Sequence, residues 1–185
     1  GFGLAAVFVL GLGLGASMAL FAALDRVLFR PLPYADPDRL VSVGFVIGPS
    51  LQTETMADKP YVQMWDTPPA PFESVTATGA SRDCYIGEEQ PERVRCATVD
   101  DNFLRVLGVR VAAGRDFAPE VEVRGTPPVA LISHELWVRR HGADPRAIGR
   151  ILNLDSPNAP VQRVPIVGVL PPDFEMPLEA ADILL

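Results

Sequence analysis

Charged side chains are absent from residues 1–24, and Ser17 is almost the only polar side chain among them. At a rise of about 1.5 Å per residue, a helix of this length would be roughly 35 Å long. That length is enough to cross a hydrocarbon core of about 30 Å. The absence of charge therefore predicts either a membrane-spanning helix or an export signal at the start of the chain.

A cleaved signal peptide is the alternative to a membrane helix. Signal peptides have a basic start and an apolar core of about 7 to 15 residues. Here the apolar character continues as far as Val27 and Leu28, and no basic residue precedes it. The stretch Gly15–Ala19 would still serve as a small-residue cleavage site. The sequence favours the membrane helix and leaves the signal peptide open.

Small residues recur every four positions along this helix. Gly11 and Gly15 form a G-x-x-x-G pair, which Ala19 and Ala23 extend. A row of this kind lets a second helix approach closely in a membrane. Gly11, Gly15 and Ala19 are therefore candidate helix-packing residues. The alternative is that these glycines are incidental, because glycine is common in membrane helices.

Lysine is nearly absent as well, since all but one of the 16 basic residues are arginine and acidic residues number 23. The net charge is −7. A chain of this charge lacks the basic surface that phosphate groups require, which argues against nucleic acid as a partner. The 19 prolines remove backbone donors and favour turns and short strands over long helices.

The chain begins with Gly1 and ends in the apolar run Ile183–Leu185, so we expect it to be an excerpt of a longer protein. The predicted division is a transmembrane helix and stalk at 1–29, followed by a domain at 30–185. The predicted fold class is α+β, with a domain of two small lobes built from short strands and helices. The lobes are expected at about 30–112 and 113–185.

Cysteine is limited to Cys84 and Cys96, which flank a polar stretch typical of a hairpin turn. Folding the chain about Gln90 places the two cysteines opposite each other. Such a pair is consistent with a disulfide in an oxidising compartment. The alternative is a pair of reduced cysteines that act as small apolar residues.

Elements of the domain are predicted from runs of apolar residues and from caps. Ser133 is expected to cap a helix from His134 that Gly142 ends, and Gly108 is expected to end a shorter helix. Asp144 followed by Pro145 predicts a further helical turn. Helical turns are predicted at 61–65, 102–107 and 134–141. Strands are predicted at 39–47, 72–80, 83–86, 92–99, 128–132, 150–154 and 162–170, and a polar loop at 48–58.

Catalytic residues, cofactor-binding residues and metal ligands are not found. Ser133 and His134 are neighbours on a helix, where adjacent side chains do not face each other. His134 and His141 are seven residues apart, about 10 Å by helical rise, which is too far to share a metal without other ligands. Both are expected at the surface. The chain is therefore predicted not to be an enzyme and to bind no cofactor.

Several stretches together resemble the permeases of MacB-type ABC transporters, of the FtsX-like superfamily, and most closely the acidobacterial ones. The similarity begins in Leu10–Ala16 and Val27–Val41. It continues, in order, through 91–94, 102–109, 114–117, 129–140, 148–150 and 166–174. The loop 48–58, the stretch 67–71 and the turn at 156–160 depart from the family pattern.

The resemblance implies a function that composition alone does not reveal. It implies a permease subunit in the bacterial inner membrane, with residues after about 30 in the periplasm as a MacB-like periplasmic core domain. The implied partners are a cytoplasmic ABC ATPase, a second copy or related permease, a periplasmic adaptor and membrane lipid. The domain is expected to transmit ATP-driven motion, called mechanotransmission, for export or extraction of substrates. Arg26 and Arg30 alone would suggest the opposite orientation.

Two other functions remain open from the sequence. The main alternative is an extracytoplasmic binding or adhesion module that one helix anchors and that transports nothing. A secreted hydrolase has the least support, because no nucleophile, base or metal cluster is found. Three further membrane helices after residue 185 would favour the permease, and a stop codon soon after it would favour the anchored module.

Overall fold

A computed structural model describes residues 1–25, 33–46, 53–56, 68, 70–87, 91–118, 127–156 and 159–185. The chain divides into two compact units, residues 1–32 and residues 33–185. The predicted boundary between residues 29 and 30 lies outside the described residues. The two units are considered separately below.

In the described part of the first unit, residues 1–25, the chain forms one helix, α1, at Phe2–Leu24. Its stretch Phe2–Ala22 is long and apolar enough to span a membrane, and none of it is buried. An exposed surface of this kind is unfavourable in water, because burial of a large apolar side chain such as leucine or phenylalanine is favourable by about 1.5 to 3 kcal/mol. The helix predicted for residues 1–24 is confirmed.

The described residues of the second unit form nine strands, two short helices and two 3₁₀ turns. The strands are β1 Gly44–Val46, β2 Thr53–Met56, β3 Arg82–Ile86, β4 Glu92–Ala97, β5 Ala113–Gly114, β6 Ala130–Ile132, β7 Ile151–Ser156, β8 Ala159–Val169 and β9 Ile183–Leu184. The helices are α2 Phe103–Leu107 and α3 His134–His141, and the 3₁₀ turns are Pro37–Arg39 and Pro145–Ala147. The predicted α+β fold class is confirmed.

Seven of the strands form one sheet in the order β5-β8-β6-β9-β4-β3-β7, and β7 also pairs with β8. This last pairing returns the sheet to β8, so β8, β6, β9, β4, β3 and β7 make a closed ring, here called the strand ring. The pairs β6–β8 and β4–β9 are parallel, and the other pairs are antiparallel. Strands β1 and β2 form a separate antiparallel pair.

Two buried clusters fill the unit. The first, the ring cluster, takes residues from all six strands of the ring and Leu136 from α3. The second, the α2 cluster, combines Phe103, Leu104 and Leu107 of α2 with strand residues such as Leu131 and Val167. Neighbouring residues Leu131 and Ile132 fall in different clusters because successive side chains of a strand point to opposite faces.

The predicted lobe boundary crosses the strand ring. Strands β3 and β4 lie before residue 112, and β6 to β9 lie after it, yet all belong to the same sheet. The described part of residues 33–185 therefore shares one sheet across this boundary, and the division into two lobes stays a prediction. Short apolar strands are ambiguous in sequence because their pairing partners lie far along the chain.

The local predictions that rest on helix caps are confirmed by the structure. The Ser133 hydroxyl accepts a hydrogen bond from the Leu136 amide, and Gly142 ends α3 in a left-handed conformation. Gly108 ends α2 in the same way, and Asp144 caps the second 3₁₀ turn. The antiparallel pair β7–β8 is also confirmed.

Other local predictions are wrong or fall outside the description. The stretch 72–80 contains only an isolated bridge between Thr78 and Val99. The predicted loop 48–58 contains strand β2, and of the strand predicted at 39–47 the described residues 39–46 form only β1. The helical turns predicted at 61–65 lie outside the described residues. Polar residues such as Thr53 and Glu54 give a weak strand signal, because β2 is formed through its pairing with β1.

Candidate functional site

Residues 33–40, here called the connecting segment, are the first described residues of the second unit. Tyr34 and Leu40 are partly buried and pack against the α2 cluster. Between them, Asp36 and Pro37 begin a 3₁₀ turn in which the Leu40 amide donates to the Pro37 carbonyl at 3.2 Å. Tyr34 and Leu40, on either side of this turn, both contact the domain.

Tyr34 is held at both ends of its side chain. Its ring packs against the α2 cluster, and its hydroxyl donates a hydrogen bond to the Glu175 carbonyl oxygen at 2.8 Å. Burial of the hydroxyl, and then the nearby Glu175 carboxylate, raise the pKa of Tyr34 above its ordinary value. Since an ordinary tyrosine, with a pKa of about 10, is already protonated at neutral pH, the raised pKa keeps the hydroxyl a donor to still higher pH.

Ala35 lies close to Gly108, the residue that ends α2. Gly108 has a φ of +68°, and a Cβ built on it would lie 2.6 Å from the Ala35 Cβ. Glycine is needed there for the left-handed backbone and for the close approach of Ala35. The connecting segment is thus fitted to the domain at Tyr34, Ala35 and Leu40.

A second group of interactions ties α3 to the strand ring. Arg139 lies 3.0 Å from Glu92 of β4, 3.2 Å from Glu135 and 3.9 Å from Asp182, and Arg140 lies 2.9 Å from Glu92. Burial by itself would raise the pKa of Glu92, but hydrogen bonds from Arg140 and Arg139 outweigh it and the pKa is lowered. These ion pairs position α3 and have no evident chemical role.

Sequence reasoning missed both of these features. Only Glu135 and Arg139 carry a local signal, because their spacing of four residues places them together on one helix face. The contacts of Arg139 with Glu92 and of Ala35 with Gly108 join residues distant in sequence. No local pattern points to such contacts.

The predicted helix-packing residues lie on the exposed surface of α1. Gly11, Gly15 and Ala19 are all exposed, and a Cβ at either glycine would have no neighbour within 4 Å. Their spacing of four residues places them on one side of the helix. The surface is open to a second helix, and its use in packing stays a prediction.

Cys84 and Cys96 lie on adjacent strands with their sulfur atoms paired and their Cα atoms 6.0 Å apart. The β3–β4 register matches Cys84 with Val94 and Cys96 with Arg82. The cysteines are therefore diagonal neighbours, and the expectation that they lie directly opposite is wrong by two positions. A shift of two keeps both side chains on the same face, because side chains alternate along a strand.

The histidines do not form a joint site. The His134 ring contacts Trp137 edge-on at 5.6 Å between centroids. His141, expected at the surface, has a buried Nε2 atom without a hydrogen-bond partner. Within the described ranges, no group of three or more His, Cys, Asp or Glu side chains is arranged to hold a metal ion.

Comparisons with known proteins place the chain in a family. The family model of the MacB-like periplasmic core domain matches residues 4–184. Among solved structures, the periplasmic region of MacB from Actinobacillus actinomycetemcomitans is 14% identical with a TM-score of 0.51, over 70% of this chain and 57% of that one. The extracellular domain of the noncanonic ABC-type transporter YknZ from Gram-positive bacteria is 17% identical with a TM-score of 0.45, over 59% of this chain and 52% of that one.

The chain thus spans little more than half the length of these two solved domains. A search of curated proteins gives no match. At 14% identity the MacB structure supports the fold alone, whereas the family model covers nearly the whole chain. The chain belongs to the family of MacB-like periplasmic core domains.

Proposed function

We propose that this chain is the first membrane helix and part of the periplasmic domain of an ABC transporter permease subunit in the bacterial inner membrane. Its domain transmits motion driven by ATP hydrolysis in a separate cytoplasmic ATPase, so that substrates are exported or extracted on the periplasmic side. The chain itself is not an enzyme. The family match and the apolar helix α1 support the placement.

The observation that carries the proposal is the docking of the connecting segment. Motion of a membrane helix reaches a domain only if the residues between them resist bending. The connecting segment contains Pro33 and Pro37 and no glycine, and it is packed or hydrogen-bonded at Tyr34, Ala35 and Leu40. Proline fixes φ near −65°, which stiffens a segment of this length.

The proposed partners follow from the same function. A cytoplasmic ABC ATPase supplies the energy, and a second permease subunit faces the first across the transport path. A periplasmic adaptor is a further candidate partner. The row Gly11, Gly15 and Ala19 is the proposed contact surface of α1 with another membrane helix, because small residues allow close approach.

The test uses the intact transporter that contains this chain. Gly108→Ala adds a Cβ 2.6 Å from the Ala35 Cβ and should displace the connecting segment. We expect transport to fall while ATP binding by the partner ATPase is retained. The double variant Ala35→Gly with Gly108→Ala should recover transport in part, because it removes the atom that the new methyl group meets.

The matched control is Gly142→Ala. Gly142 ends α3 with a φ of +59°, so alanine meets the same backbone strain there, but its Cβ would have no neighbour within 4 Å. Transport should stay near the wild-type level. Full transport by Gly108→Ala, or an equal loss in both variants, would contradict transmission through the connecting segment. A crosslink that prevents the domain from moving relative to a second permease subunit should also stop transport. Unchanged transport with this crosslink would mean that the domain is a passive tether.

A further inference from the structure

The cysteine pair lies deep in the domain. Cys84 is 1% exposed and Cys96 is fully buried, and both belong to the ring cluster. Their Cα separation of 6.0 Å is within the range of native disulfides. Among the residues that the structure describes, no cysteine is free. A protein that donates disulfides would have no access to these sulfur atoms once the domain is folded.

The order of strand pairing determines when the sulfur atoms become inaccessible. Strands β3 and β4 are close in sequence and form a hairpin. The strands that complete the ring come much later, since β4 pairs with β9 at Ile183 and Leu184, and β3 pairs with β7 at Leu154 and Asp155. Local pairs form at a lower entropy cost than distant ones. The hairpin can therefore form while both cysteines are still exposed.

We propose that the β3–β4 hairpin is the substrate of an extracytoplasmic thiol–disulfide oxidoreductase, which oxidises Cys84 and Cys96 before the strand ring closes. One of the two thiolates attacks the disulfide of the oxidoreductase, forms a mixed disulfide and releases one thiolate of that protein. The other thiolate of the hairpin then attacks the sulfur of the first cysteine in the mixed disulfide and releases the second thiolate. The chain loses two protons and two electrons, and the oxidoreductase takes up the electrons as a dithiol.

The first experiment asks whether the bond exists and is inaccessible in the folded protein. The intact chain, exported into an oxidising compartment and held in detergent, is treated with a mass-tagged maleimide after denaturation. We expect no tag before reduction and two tags after reduction in urea. Dithiothreitol without urea should leave the chain untagged. Two tags before reduction, or equally fast reduction with and without urea, would overturn the proposal.

The second experiment tests the order of events with oxidised glutathione as the probe. The reduced chain is diluted from urea, and the probe is added either at once or after folding is complete. Early addition should give the intramolecular disulfide at least tenfold faster than late addition. Equal rates would show that the closed ring does not protect the thiols and would overturn the proposed order.

Discussion

Helix α1 and the domain are both rich in large apolar side chains, but they differ in where those side chains lie. Phe8 of α1 is 70% exposed, whereas Phe103 of α2 is 2% exposed. In the domain, strands and helices cover each other's apolar faces and form two buried clusters. The described large apolar side chains of α1 are exposed, and the helix is long and apolar enough to cross a bilayer.

Glycine shows the same contrast. Gly11, Gly13 and Gly15 of α1 would meet nothing within 4 Å if they carried a Cβ, whereas Gly108 would meet Ala35 at 2.6 Å. Glycine in the domain is therefore required by contacts within the chain. Glycine in α1 leaves a surface open to other molecules. The two regions should respond differently to equivalent substitutions.

The largest expected difference concerns the two phenylalanines. Phe103→Ala should lower the free energy of unfolding of the domain by about 3 to 5 kcal/mol, because it opens a cavity in the α2 cluster. Phe8→Ala should leave that free energy unchanged. Urea denaturation followed by tryptophan fluorescence measures both variants in detergent. Equal destabilisation by the two substitutions would mean that α1 is part of the domain core.

The second expected effect concerns the solvent of α1. Leu12→Arg places a charge near the middle of the helix and should cost about 3 kcal/mol of membrane insertion. Alkaline carbonate extraction should leave the wild-type chain in the pellet at full length and release part of the variant. Val161→Arg, at a position of the domain that is 60% exposed, is the control and should not change extraction. A soluble wild-type chain shortened near Ala19 would instead indicate a cleaved signal peptide.

The third effect separates backbone strain from packing. Gly142→Ala should destabilise the domain by about 1 kcal/mol, because alanine is strained in a left-handed conformation. Gly108→Ala meets the same strain and also the Ala35 methyl group, so it should cost about 1 to 2 kcal/mol more. Urea midpoints of the two variants give the difference. Identical midpoints would mean that the connecting segment moves away from Gly108 without cost.

The smallest effect concerns pH. Burial lowers the pKa of His141, and the charges of Arg140 and Arg150 lower it further, against the opposing effect of Asp144 and Glu92. Below the ordinary histidine pKa of about 6.5, the unfolded chain therefore binds more protons than the folded chain. The free energy of unfolding should decrease as the pH falls through that range.

The measurement compares urea midpoints of the wild type and His141→Gln at about pH 7.5 and about pH 5.5, which bracket the usual histidine titration. The glutamine variant should lose less stability on acidification, because it has no proton to bind at this position. An equal loss in both proteins would assign the pH dependence to other groups.

Much of the local structure could be predicted from the sequence because its causes are local. Ser133, Gly108 and Gly142 mark helix ends through caps formed by residues three or four positions away. The hairpin β7–β8 is visible as two apolar runs separated by a turn. The length and lack of charge of α1 predict a membrane helix without reference to any other part of the chain.

The tertiary structure alone decided the rest. Closure of the strand ring joins Cys96 to Ile183 and Tyr85 to Asp155, and docking of the connecting segment brings Ala35 to Gly108. Which residues pair is determined by which strand faces can bury the most apolar surface against each other. This burial depends on all six strands of the ring. The sequence by itself therefore determined the apolar helix, the caps and the adjacent hairpins, because their interactions span only a few residues. The single sheet and the cysteine register required the folded chain, because their contacts depend on residues far apart in sequence.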